Sequence, residues 1–312
     1  MLCSFIFASC SSDDAPVEEP MEPEEEIVDP SNKVENVLLA ADDFILGEEE
    51  GESRTAFTLD DATGLKFSWA AGDVLGVYPT DADQISFAIK SGAGQATAKF
   101  DGGAWALRSD KIYSAYYPYN LDNSNRTNAE IRFSYDGQQQ TGNNSLAHLG
   151  THDFMATQPT QAENGELTFK FKHLNSVALL RLTVPVAANF TTLTLRCDNQ
   201  IFVKTGNLNL SGETYEYTVH EASNQQQMAL SEVSSTQANQ ALNFYMMVPP
   251  VDMNGKMVYV ILRSDDNKVY QALLESKTLI AGRIYLFTAT LIDVTVTSTV
   301  SSPSFGTENA TI

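Results

Sequence analysis

The sequence predicts an all-β protein: two antiparallel β-sandwich domains behind a disordered acidic tether. Three observations carry this. Apolar and polar residues alternate with a period of two along one segment after another, the mark of strands with a single buried face. Turn-forming clusters rich in Gly, Asn and Asp fall between those segments. Helical periodicity is nearly absent, and 312 residues are more than one hydrophobic core of ordinary size supports, so two cores are expected.

Residues 1–10, MLCSFIFASC, read as a lipoprotein signal segment. The apolar run closes on Phe7-Ala8-Ser9-Cys10, and two small residues before a cysteine resemble the lipobox cut by lipoprotein signal peptidase, which makes Cys10 the expected lipidated residue. A signal peptide needs a basic start and a longer apolar region. Neither Lys nor Arg precedes Cys10, so the true start is expected upstream or the N-terminus is truncated. Beyond this segment nothing approaches the roughly 18 apolar residues that span a bilayer, and membrane attachment is expected through lipid alone.

Residues 11–33 combine Pro16, Pro20, Pro23 and Pro30 with nine acids and no Lys or Arg before Pro30. Such a composition buries too little apolar surface to offset the entropy of ordering, so a solvated tether is predicted. Cys10-Ser11-Ser12-Asp13-Asp14 also resembles the acidic signal that sends lipoproteins to the outer face of the outer membrane.

The first sandwich is expected over residues 34–174. Ile85, Phe87 and Ile89 alternate with Ser86, Ala88 and Lys90; Ile131, Phe133 and Tyr135 with Arg132, Ser134 and Asp136; Leu167, Phe169 and Phe171 with Thr168, Lys170 and Lys172. Gly102-Gly103 before Trp105 and Asn164-Gly165 before Leu167 are hairpin signals. Asn144 to Gly150 could form one short helical turn, with Ser145 capping and Gly150 ending it.

The boundary is placed near Leu174, because the pattern restarts there and a second sandwich is expected over residues 175–296. Asn175 to Val184 is apolar on both parities, as in a central strand covered on both faces. Tyr215, Tyr217 and Val219 alternate with Glu216, Thr218 and His220, and Asp265-Asp266-Asn267 turns between VYVILR and VYQALL. Residues 297–312 form a Ser/Thr-rich tail.

Composition excludes several functions. With 40 Asp+Glu against 19 Lys+Arg the chain repels phosphate backbones, and nucleic acid is not an expected partner. Cys197 is the one cysteine of the body, so no disulfide framework exists there; it shares parity with Leu193 and Leu195 and reads as a small buried thiol. His148 and His152 have HxxxH spacing, but Gly150 lies between them and no third ligand is evident, so no metal is expected. His173 continues an inward parity and reads as a hydrogen-bonded core histidine, while His220 reads as solvent-facing. The pairs Asp42-Asp43, Asp60-Asp61 and Asp265-Asp266 sit at strand ends, where Asp is favoured conformationally. Without a nucleophile elbow or phosphate-binding loop, neither an enzyme nor a cofactor is expected.

Several phrases resemble the fimbrillin-like, or Mfa-like, family of type V pilus subunits. Arg54-Thr55-Ala56-Phe57 precedes Phe67-Ser68-Trp69-Ala70-Ala71-Gly72-Asp73-Val74-Leu75-Gly76-Val77-Tyr78, which is similar to the family's Trp-x-x-Gly-Asp-x-(apolar)-Gly-Val strand pair. Asp153-Phe154-Met155-Ala156-Thr157, Phe171-Lys172-His173-Leu174 and Leu279-Ile280-Ala281-Gly282-Arg283-Ile284-Tyr285 follow in the family's order. Each also has a scaffold reading: Gly72-Asp73 makes a tight turn, and Gly76 permits a bulge or close backbone approach.

The resemblance implies transthyretin-like sandwiches, export as a surface lipoprotein of the outer membrane, and trimming at an arginine that opens a groove for an extended segment of the next subunit, that is, β-strand addition. Arg54, between the acidic run Glu48-Glu49-Glu50-Gly51-Glu52 and the first family phrase, is the candidate processing site, and cleavage there would release the strand around Val34 to Ala41. Ile292, Val294, Val296 and Val300 share one parity and form a candidate donor strand, or else the last strand of their own sandwich. Expected partners are other pilus subunits, the same or related, with a host or bacterial receptor or glycan at the surface. The competing reading is a carbohydrate-binding lipoprotein that never polymerises, in which Tyr113, Tyr116, Tyr117 and Tyr119 around Pro118 stack on sugars.

Overall fold

The computed structural model describes residues 36–41, 45–46, 58–60 and 64–295, apart from 81–82, 104, 106, 125–126, 129 and 164–165. The signal segment, the tether, Arg54, Asn164-Gly165 and the tail from 296 onward lie outside the described residues.

The described chain is almost entirely β. In order its strands are β1 Asn36–Ala41, β2 Ile45–Leu46, β3 Thr58–Asp60, β4 Gly64–Lys66, β5 Val74–Pro79, β6 Ile85–Ser91, β7 Thr97–Asp101, β8 Ile112–Tyr117, β9 Ile131–Ser134, β10 Gln139–Thr141, β11 Met155–Gln161 and β12 Glu166–His173. There follow β13 Ser176–Val184, β14 Ala188–Cys197, β15 Phe202–Asn209, β16 Glu216–Ser223, β17 Gln225–Ser235, β18 Gln240–Val248, β19 Val251–Asp252, β20 Val258–Ser264, β21 Val269–Leu273, β22 Thr278–Leu279, β23 Arg283–Thr290 and β24 Ile292–Asp293.

The first half closes into a seven-stranded barrel in the order β1-β12-β11-β8-β5-β6-β7, with β1 completing the ring against β7. Alternation fills it: Leu75, Val77, Phe87, Phe100, Leu167, Phe169 and Phe171 point inward and share one core with Trp69. Trp69 does not end a strand. It lies in the irregular stretch after β4, where its ring is buried edge-on against Phe67, Phe100, Tyr117 and Phe171 at centroid distances of 5.0–5.8 Å. The Gly72 turn that follows has φ +96°, a left-handed conformation that glycine adopts without strain. Gly76 has a packing reason, since a Cβ there would sit 2.0 Å from Cε1 of Tyr116.

In the second half a six-stranded sheet, β10-β17-β14-β20-β21-β24, faces a four-stranded sheet, β18-β13-β23-β2. Their inner faces share a core that includes Leu180, Leu182, Leu193, Leu195, Met228, Phe244, Val260 and Phe287, with the thiol of Cys197 buried among them. β13 is central and covered on both sides: its other face packs Val177 and Leu179 against Leu65 and Leu149. A three-stranded sheet, β16-β15-β9, covers the outside of the barrel, where Ile131, Phe133 and Leu208 meet Tyr78, Tyr116 and Phe154.

Three expectations are corrected. The short helix is Leu149–His152, with no side-chain cap, rather than Asn144 to Gly150; Asn144 and His148 are instead held by β18, where the Asn144 side chain accepts from Asn243 N–H at 2.8 Å and His148 Nε2 meets the Tyr245 carbonyl at 2.7 Å. Among the described residues no strand begins between Gly103 and β8, and Trp105 is exposed. β16 forms, but Tyr217 and Val219 are 42% and 49% exposed, because nothing described covers that edge of the three-stranded sheet.

The antiparallel pairing expected from the sequence holds for most ladders, with four exceptions. The pairs β1–β12, β2–β23, β10–β17 and β13–β23 are parallel. Three strands that precede Leu174 pair with strands that follow it: β2 with β23, β9 with β15, and β10 with β17.

Candidate strand-exchange site

β1 lies between two strands that are distant in sequence. It pairs in parallel with β12 over six positions, from Asn36↔Glu166 to Ala41↔Phe171, and antiparallel with β7 over three, Leu38↔Lys99 to Ala40↔Thr97. Period-two geometry sends positions 37 and 39 inward. Both are buried, Leu39 completely, in the core that holds Phe169, Phe171, Ala98 and Phe100. β1 therefore fills a slot whose two walls are complete without it.

The chain then passes to the second half, where β2 pairs in parallel with Arg283 and Ile284 at the start of β23. Past those two residues no described strand pairs with the outer edge of β23. Lys277 lies beside that edge, donating to the Leu286 carbonyl at 3.3 Å, with its ammonium 5.4 Å from the centroid of the Phe287 ring. β1 and β2 are both N-terminal to Arg54, so one backbone cut at that position separates both from the body.

Of the candidate donor residues, Ile292 and Val294 are described, and Val296 and Val300 are not. The segment lines its own sheet. Ile292 pairs with Gln271, Asp293 with Tyr270, and Val294 N–H donates to the Val269 carbonyl at 2.9 Å. Ile292 is 61% exposed on the face away from the core.

Three of the four tyrosines proposed to stack on sugars do not present their faces, and Tyr119 is half-buried. Tyr113, Tyr116 and Tyr117 are buried. The Tyr117 hydroxyl donates to Asp73 Oδ1 at 2.9 Å, and Asp73 Oδ2 accepts the Ala70 N–H at 2.7 Å, which ties the Gly72 turn to β8. Burial raises the Asp73 carboxyl, and burial together with the Asp73 charge raises the Tyr117 phenol. The Tyr116 hydroxyl donates to Gln84 Oε1 at 2.7 Å and accepts from Asn120 N–H at 3.0 Å. These rings failed as a platform because the parity of β8 is apolar on both sides, facing the barrel core on one and the three-stranded sheet on the other.

His148 and His173 are structural, and His220 is exposed on β16. His173 Nδ1 lies 2.7 Å from Asp153 Oδ1, both buried, with Asn175 bridging to the Phe154 N–H at 2.8 Å. Sequence parity found His173 but gave no sign of Asp153 as its partner, because the two meet across the β11–β12 corner. No group of three His, Cys, Asp or Glu among the described residues could hold a metal. A polar recess of about 480 Å³, lined by Asp136, Gln139, Thr192, Lys204, Gln225 and Gln227 among others, contains no base–nucleophile pair. No described helix is long and apolar enough to cross a membrane.

The sequence matches the family model described as fimbrillin-like over residues 59–303. No curated protein matches. Among solved structures, a candidate cell-adhesion protein from Bacteroides ovatus superposes with a TM-score of 0.53 at 14% identity, covering 86% of this chain and 99% of that one. A second, from Bacteroides uniformis, gives 0.48 at 15% identity over 72% and 90% of the two chains. The tip fimbrial protein Mfa3 from Porphyromonas gingivalis gives 0.36 at 12% identity over 81% and 94%. At these identities the first likeness speaks for the fold alone.

Proposed function

We propose that this chain, which belongs to the fimbrillin-like family, is a structural or adhesive subunit of a surface fimbria, exported as a lipoprotein modified at Cys10 and joined to its neighbours by strand addition. One observation carries the assembly step: β1 is a central barrel strand held in parallel register by β12 and antiparallel register by β7, and it is joined to the remaining barrel strands through the segment that contains Arg54.

A parallel neighbour cannot come from a tight hairpin, so the closure contributed by β1 is non-local. Processing after Arg54 frees β1 and β2 from the body. Their departure leaves the facing backbone groups of β7, β12 and the first residues of β23 unpaired, next to an apolar slot that Val37 and Leu39 had filled. An extended segment of a neighbouring subunit satisfies both needs, with backbone hydrogen bonds supplying affinity and alternate side chains supplying register. The donor is the apolar row Ile292, Val294, Val296 and Val300. Its first part is held on β21 by two paired positions and by bonds of Val294 and Thr295 to Val269, a light restraint on release. Partners are the same or related subunits, with a host or bacterial receptor or a glycan at the exposed surface; the subunit sits on the outer membrane by its lipid before it polymerises. The burial of Tyr113, Tyr116 and Tyr117 counts against the stacking surface on which the non-polymerising carbohydrate reading stood.

N-terminal sequencing of material sheared from cells tests the proposal. Subunits beginning at Thr55 are expected in polymers, and polymers whose subunits still begin at Cys10 would refute processing. Deleting Thr297 to Ile312 should abolish heat-resistant ladders on gels, and normal ladders would exclude that segment as donor.

A further inference from the structure

β18 lies at the edge of the four-stranded sheet opposite β2. Its sequence, Gln240 to Val248, QALNFYMMV, carries no charge and no proline, and an uncharged apolar edge strand is the kind that recruits other strands. Its antiparallel register with β13 leaves alternate residues with their peptide groups facing away from the sheet. Those residues are Ala241, Asn243, Tyr245 and Met247, and all six outward groups of the last three are occupied by side chains. Asn243 N–H donates to Asn144 Oδ1 at 2.8 Å, and its carbonyl accepts from Gln140 Nε2 at 3.2 Å. Tyr245 N–H donates to Gln140 Oε1 at 3.0 Å, and its carbonyl meets His148 Nε2 at 2.7 Å. Met247 N–H donates to Gln138 Oε1 and its carbonyl accepts from Gln138 Nε2, both at 2.8 Å.

We infer that Gln138, Gln140, Asn144 and His148 are an edge guard that closes β18 to strand addition and so determines which side of the sandwich accepts a neighbour. A primary amide carries one acceptor and two donors in the geometry of a peptide group, so Gln138 and Gln140 imitate an adjoining strand without being one. The backbone that bears them is committed elsewhere, since β10 pairs in parallel with β17 and Ala229 N–H donates to the Gln138 carbonyl at 2.9 Å. Gln138 and Gln140 are 1% and 0% exposed. Buried amides are costly unless paired, and here the pairing is with the strand edge itself. Leucine would fill the same space and leave peptide groups of β18 open. The far edge of the sheet has only the two-residue pairing of β2 on β23. The sandwich is thus asymmetric, with one edge guarded by side chains and the other left for exchange. This rests on the strand-addition reading above.

The first test uses the unaltered chain. Amides of Asn243, Tyr245 and Met247 should exchange with deuterium as slowly as those of β13, and exchange at the rate of a solvent-facing edge overturns the guard. The second compares the full chain with Q138L/Q140L and with the conservative Q138E, by sedimentation and by binding of a fluorescent peptide with the sequence of residues 240–248. The unaltered chain should stay monodisperse and ignore the peptide, whereas Q138L/Q140L should bind it at least tenfold more tightly and self-associate, with Q138E between the two. A folded Q138L/Q140L that stays monodisperse and ignores the peptide overturns the inference. Strand addition at β1 fails on a separate result, namely a body trimmed after Arg54 that never takes up a donor peptide, so the two failures are distinguishable.

Discussion

Leu39→Ala tests the slot in two settings with one number. Leu39 is completely buried in the barrel core, and truncating a buried leucine costs about 2–5 kcal/mol, the lost transfer energy plus the cavity left behind. In the intact chain that loss appears as a lower urea midpoint at unchanged slope. The same contact should govern a peptide of residues 34–46 binding to a body that begins at Thr55. There about 2–5 kcal/mol becomes a weakening of roughly 30-fold to a few thousandfold in Kd, since each 1.4 kcal/mol is tenfold. The entropy of ordering the strand is common to both peptides and cancels in the ratio. Fluorescence anisotropy of labelled wild-type and L39A peptides gives the second value and urea unfolding gives the first. If the intact variant unfolds at the wild-type urea concentration, or the two peptides bind the trimmed body equally, β1 is not the strand that the slot is built around.

Gly76→Ala should lower stability by about 1–3 kcal/mol, the usual cost of overpacking, because its Cβ would lie 2.0 Å from Tyr116 Cε1; an unchanged urea midpoint would refute the close approach. Asp153→Ala removes the buried carboxylate that meets His173 and should cost about 3–5 kcal/mol, whereas Asp153→Leu/His173→Leu should recover much of that, measured as a double-mutant cycle. His148 and His152 are both pushed down by burial, and His152 also by the neighbouring His148. Their unfolded forms then bind protons more readily than their folded forms, so stability is full above about pH 6.5 and falls as pH drops through that value toward the lowered folded ones. His148→Gln/His152→Gln should flatten urea midpoints between pH 7.5 and 5.5, and an unchanged slope would show that these rings do not carry the dependence.

Alternation at period two was enough to place most strands, because a sheet with one covered face leaves its mark on every second residue. Ile85 and Phe87, Ile131 to Tyr135, and Leu167 to His173 all bury the parity that the sequence assigns. β13 was legible as a central strand for the complementary reason, both parities being apolar. The pattern misled at β16, where Tyr217 and Val219 alternate as a core face does yet remain exposed. Alternation reports that a strand has two unlike faces, and whether anything covers the apolar one depends on the rest of the fold.

The exchange site shows the same division. The family resemblance singled out Arg54, and residue type and spacing the apolar row from Ile292. That β1 lies parallel to β12 and closes a barrel against β7 is a pairing across more than a hundred residues on one side and about sixty on the other, and a period-two pattern is identical for parallel and antiparallel neighbours. The edge guard was out of reach for a related reason. Nothing in the sequence set Gln138 and Gln140 apart, and their value comes from Met247, Tyr245 and Asn243, which lie more than a hundred residues further along the chain. The sequence by itself determined most of the strands and which face of each is apolar, because those depend on neighbours one and two positions away. Only the tertiary structure decided which strands meet, in which direction, and which edges stay open, because backbone hydrogen bonds between strands carry no side-chain label.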